Sequence, residues 1–180
     1  MINSDGILDS AIYIESPFYN QRPQGTEINL LVIHCISLPE GQFGTEHIQN
    51  LFTGKLDCCA DPSFACLQGL EVSAHCVIRR DGTVEQYVPF HERAWHAGVS
   101  SFEGREGCND FSIGIELEGT DCSEYTDLQY QALVNTTQQI QVNYPSITLP
   151  RIVGHSDIAP ERKTDPGSGF DWERYFSKLA

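Results

Sequence analysis

The chain has 180 residues, 40% of them apolar and 20% charged, with 25 acidic against 11 basic side chains for a formal charge of −14. That length suits one domain over 1–180 with a sizeable core, its motif-bearing part at about 28–168. So acidic a surface is ill suited to nucleic acid or anionic lipid, and no run of about 18 apolar residues exists to cross a membrane.

The opening stretch, MINSDGILDS, has neither the basic start nor the apolar core of a signal peptide. The seven cysteines are an odd number without the spacing of a disulfide framework. Both features lead to the expectation of a cytoplasmic protein. The run INLLVIHCI (28–36) is apolar and rich in β-branched residues, so it predicts a buried central strand with His34 inside it. TEHIQNLFTG (45–54) predicts a short helix with Thr45 as cap and Gly54 as stop, followed by a loop over 55–70. SAHCVIRRDGTVEQYVPF (73–90) reads as a hairpin turning at Asp81-Gly82. In FSIGIELEG (111–119), Ile113, Ile115 and Leu117 alternate with Ser112, Gly114, Glu116 and Glu118, so both glutamates share a strand face. Glu118 is placed nearer the strand end and solvent. The segment 126–145 opens with a Thr126/Gln129 capping box and carries an apolar stripe of Leu133, Ile140 and Tyr144. RIVGH (151–155) reads as a short strand delivering His155 into GHSDIAPERKTDPG, whose glycines and prolines keep most of it from being regular helix or central strand. DWERYFSKL (171–179) reads as a closing helix capped by Asp171. Helices interspersed with strands and a hairpin predict an α+β fold, a mixed central β-sheet flanked by helices.

His34 and His155 lie at strand ends, and Asp165 follows ten residues after the second. Two imidazoles and a carboxylate suit a catalytic zinc, yet spacing alone favours His34 as a core histidine and Asp165 as a turn former. Glu116 on a central strand must either pair with a cation or act as a general base. Lys163 is either an oxyanion-stabilising cation or a solvated loop lysine. Trp95 and His96 in AWHAG either line a cleft or pack in the core, and His75 is either core or a partner to a ligand. His47 and His91 read as surface residues. Cys58, Cys59 and Cys66 lack the spacing of a structural zinc site, and Cys35 and Cys76 read as small core residues.

The motifs LLVIHCISLP, VSAHCVIRRDGTVEQYVPF, RAWHAGVS, CNDFSIGIELEGTD and GHSDIAPERKTDPG occur in this order. Together they closely resemble the AmpD-type amidases, the 1,6-anhydro-N-acetylmuramoyl-L-alanine amidases of cell-wall recycling, over roughly residues 11–176. The resemblance implies the mixed sheet shared with phage-lysozyme amidases and peptidoglycan recognition proteins. It implies one Zn2+ per chain on His34, His155 and Asp165, with Glu116 activating water and Lys163 steadying the transition state. The implied substrate is an anhydromuropeptide, cut between its sugar-borne lactyl group and L-Ala, and the implied wider effect is lower β-lactamase induction. No nucleic acid, membrane or obligate protein partner is expected. Substrate contacts are expected from Trp95, His96, Arg105 and Asn109. The chain departs from familiar members at Cys35, where they carry Asn, and at Glu71 and Gly107, where they carry Arg. Arg105 is then the candidate to meet the peptide's carboxylates.

Overall fold

Residues 1–179 are described by a computed structural model. Its strands are β1 (Ile12–Tyr13), β2 (Tyr19–Asn20), β3 (Leu30–Ile36), β4 (Cys76–Ile78), β5 (Val84–Gln86), β6 (Arg93–Ala94), β7 (Ser101–Phe102), β8 (Arg105–Glu106), β9 (Ser112–Glu118) and β10 (Ile152–Gly154). The α-helices are α1 (His47–Phe52), α2 (Asp127–Asn143), α3 (His155–Ile158) and α4 (Trp172–Ser177). Six strands form one mixed sheet in the order β1-β5-β4-β9-β3-β10, in which only the β4–β5 pair is antiparallel.

The two longest apolar runs make the two longest strands, β3 and β9, which are neighbours inside the sheet. Their alternate residues Leu31, Ile33, Ile113, Ile115 and Leu117 face one way and are buried with Leu133 and Ile140 of α2 and Tyr175 of α4. Tyr144 packs against the same cluster, so the predicted stripe is the face that docks on the sheet. The Thr126 capping box is present, and Gln129 also reaches the sheet, where its Nε2 donates to the carbonyls of Ile78 and Glu118. The opposite sheet face carries Leu30, Val32 and His34 on β3, and Ser112, Gly114, Glu116 and Glu118 on β9. Leu30 and Val32 pack there with Ala97, Cys108, Phe111 and Ile158.

The hairpin turns through Arg80-Asp81-Gly82, where Arg79 N donates to Thr83 O and Gly82 adopts φ 83°, a conformation glycine takes freely. Asp171 caps α4 by accepting from Arg174 N at 2.9 Å. Three local details refine these expectations. Thr45 stands one residue before the N-cap of α1, Glu46, which makes no side-chain cap bond; the Thr45 hydroxyl donates to Leu38 O at 2.7 Å and accepts from His47 N at 3.4 Å. The stretch 55–70 contains a 3-10 helix, Pro62–Leu67, started by Asp61 accepting from Ser63 N. Within GHSDIAPERKTDPG, α3 forms one helical turn, because Gly154 and Pro160 bracket it rather than interrupt it, and Asp157 Oδ2 accepts from Gly154 N at 2.7 Å. The seven cysteines are all free thiols.

Candidate active site

His34 ends the buried part of β3, and the β3–β10 pairing carries the following His155 to its side. Asp165 returns to the pair because its carbonyl accepts from Ser156 N and the next carbonyl, of Pro166, accepts from the Tyr125 hydroxyl. The side chains then meet. His34 Nδ1 lies 2.9 Å from His155 Nδ1 and 3.0 Å from Asp165 Oδ2, and His155 Nδ1 lies 3.1 Å from the same oxygen.

The far nitrogens decide where the protons sit. His155 Nε2 is 3.1 Å from Ala97 O, which only accepts, so Nε2 carries the proton and Nδ1 is bare. His34 Nε2 is 2.9 Å from His96 Nδ1. Burial pushes His34 down to about 4, so it is neutral near pH 7. Two imidazole nitrogens and a carboxylate oxygen thus converge, and this donor set fits a metal cation with positions left open.

Glu116 is paired in register with His34 across the parallel β3–β9 ladder, on the same sheet face. Its Oε2 is buried without a hydrogen-bond partner. Burial, reinforced by the nearby Asp165 charge and opposed by Lys163, raises its carboxyl well above the ordinary value. Such a group is suited to accept and return a proton. Lys163 and Asp165 share a cleft of about 410 Å3 with Cys35, Glu40, Asp121 and Arg162.

The sequence matches the family described as N-acetylmuramoyl-L-alanine amidase over residues 24–168, a span that includes His34, His155, Asp165 and Glu116. The chain belongs to that family. This amidase is 56% identical over 179 residues to the 1,6-anhydro-N-acetylmuramyl-L-alanine amidase AmpD of Enterobacter cloacae, covering 99% of this chain and 95% of that one. Its fold matches a crystal structure of a selenomethionine AmpD derivative with TM-score 0.97 and 55% identity, over 100% of both chains. It also matches AmiD of Escherichia coli, solved with anhydro-N-acetylmuramic acid-L-Ala-D-γ-Glu-L-Lys. There the TM-score is 0.62 at 32% identity, covering 88% of this chain and 60% of that one.

Of the four residues expected at the amidase's substrate, none is among those lining the cleft beside Lys163. Trp95 stacks on Phe18 and donates from Nε1 to Asn20 Oδ1 at 2.8 Å. His96 lies against His34. Asn109 is buried, with Oδ1 accepting from the backbone N–H groups of His96 and Ala97 at 3.1 and 2.8 Å. Arg105 holds its guanidinium over the Phe111 ring, 4.0 Å from the centroid. Glu118, expected nearer solvent, is only 1% exposed and accepts from Gly44 N, Arg80 N and Arg79 Nη1. His75 is buried, its Nδ1 accepting from Gly114 N at 3.0 Å, while Cys35 is half-buried and donates from Sγ to Asp121 Oδ1 at 3.4 Å.

Sequence reasoning missed Arg22. Its guanidinium donates to the carbonyls of Phe90, His91, Asn109, Asp110 and Ser112, tying the 90–91 and 109–112 segments together. No local pattern marks such a residue. Gly114 did carry a signal, since glycine inside a strand often marks a close approach.

Proposed function

We propose that this amidase, with one zinc ion per chain on His34, His155 and Asp165, cuts 1,6-anhydro-N-acetylmuramoyl peptides between the lactyl group and L-Ala. The observation that carries the reading is the meeting of three ligand atoms beside Glu116, whose Oε2 is buried and unpartnered. The AmpD name of a relative covering 99% of the chain supports the choice of substrate.

Bound zinc would act as a Lewis acid on the amide carbonyl and lower the pKa of water toward ~7. Glu116 takes the proton as water attacks the lactyl carbonyl carbon. It then gives that proton to the leaving nitrogen of L-Ala as the C–N bond breaks. A carboxyl raised by burial suits both transfers. Lys163, in the cleft beside Asp165, faces the negative charge that grows on the carbonyl oxygen. The chain acts as a single domain, 1–180, with the motif-bearing core at about 28–168.

No helix among the described residues is long and apolar enough to cross a membrane. We place the reaction in the cytoplasm, on muropeptides recovered from the wall, where removing the peptide also lowers β-lactamase induction. No nucleic acid, membrane or obligate protein partner enters this reading. The test is incubation with anhydromuramoyl-tripeptide and, separately, with intact wall polymer, followed by mass analysis. Anhydromuramic acid and free tripeptide are expected from the first, and both products should disappear with a chelator. Release of peptide from the polymer alone would overturn the substrate assignment.

A further inference from the structure

We propose that His96 is a positioning residue that fixes the tautomer of His34 and so leaves its Nδ1 free for metal. The inference rests on the zinc reading above and starts from an atom outside it. Cys108 O can only accept, and it lies 2.6 Å from Ser112 Oγ, so the single Ser112 hydroxyl proton is committed to it. Ser112 Oγ must therefore accept from His96 Nε2, 3.2 Å away. With its proton on Nε2, neutral His96 presents a bare Nδ1 to His34 Nε2 at 2.9 Å. His34 then donates from Nε2, and its own Nδ1 is the lone pair that faces His155 and Asp165. One carbonyl thus sets the direction of the whole chain of hydrogen bonds.

The ring is built into place. It lies over Gly114, where a Cβ would come 2.5 Å from both Cγ and Nδ1 of His96. Asn109 Oδ1 holds the His96 and Ala97 backbone. The next residue serves the other histidine, because Ala97 O accepts from His155 Nε2 and is itself held by Arg162 Nη2 at 2.7 Å. The dipeptide His96-Ala97 therefore orients both imidazoles, one through a side chain and one through a carbonyl. Such outer partners set ligand tautomer and basicity.

The test uses the full-length chain labelled with 15N. Imidazole tautomers are read from long-range 1H–15N spectra after metal removal, and zinc affinity from competition with a fluorescent chelator. Wild type should show His34 and His96 both protonated on Nε2. His96→Phe should lose that single His34 tautomer and weaken zinc binding by about 10- to 100-fold. His96→Asn should recover most of the affinity, since its side-chain oxygen takes the place of Nδ1. Ser112→Ala, a smaller change, should mix the His96 tautomers while the fold persists. A wild-type His34 protonated on Nδ1 would overturn the proposal, and needs no variant. So would His96→Phe binding zinc as tightly as wild type with the His34 tautomer unchanged. Wild type failing to bind zinc would instead sink the metal reading itself, so the two failures are told apart.

Discussion

Glu116 stands directly opposite His34 on the neighbouring parallel strand, and sheet register alone puts both side chains on one face. A slip of one residue would turn Glu116 into the hydrophobic core beside α2. The proposed proton carrier and the proposed metal ligand are therefore fixed by the same backbone ladder that builds the core.

Glu116→Gln should lower kcat by ~10²–10⁴, the usual contribution of a general base, with zinc content unchanged. Its thermal midpoint should stay level or rise, because a buried carboxylate oxygen with no partner is lost. Paired kinetic and unfolding measurements check this. Near-wild-type kcat would remove Glu116 from the mechanism.

Glu118, two residues along on the same face, should behave in the opposite way. It is 1% exposed and satisfies Arg79 and two backbone N–H groups. Glu118→Ala should cost about 3–5 kcal/mol in urea unfolding, the range for breaking a buried pair. The kcat of the protein that remains folded should be close to wild type.

Lys163→Ala should lower kcat by ~10²–10³ and leave zinc content intact, if the ammonium acts on the growing oxyanion. Steady-state kinetics with metal analysis of the same sample decide it. A rise in KM alone would mean that Lys163 binds substrate without aiding the chemistry.

The strands β3 and β9, the hairpin, and α2 with its cap and stripe were legible because each is written in a local period or turn. The face of Glu116 followed from alternation alone. Partners distant in sequence were not legible. Glu118 reads as a strand-end carboxylate until Arg79 and the 44–45 backbone close over it. The bonds of His96 to Ser112, and of Asn109 to the 96–97 backbone, likewise join residues whose pairing no local pattern announces. Strands of two residues, such as β1 and β6, are too short for any period to reveal.

Acid should destabilise the fold through His75. Burial first, and the Arg22 guanidinium second, push it from the ordinary 6.5 down to about 3. The unfolded chain therefore binds a proton that the folded chain refuses between these values. Stability from this group is present above pH 6.5 and is lost as pH falls toward 3. The slope is about 1.4 kcal/mol per pH unit for one proton. Urea unfolding from pH 7 to pH 4 should show His75→Asn with a shallower slope than wild type by up to one proton. Equal slopes would show that His75 does not titrate on unfolding.

The most direct measurement is a zinc titration of chelator-stripped protein, followed by hydrolysis of anhydromuramoyl-tripeptide. Activity should be absent without metal, rise linearly with added zinc and level off at about one ion per chain, because the three converging ligands form one site. His34→Ala and His155→Ala should stay inactive across the same titration. Full activity in stripped wild-type protein, or recovery in either variant at one equivalent, would contradict the account.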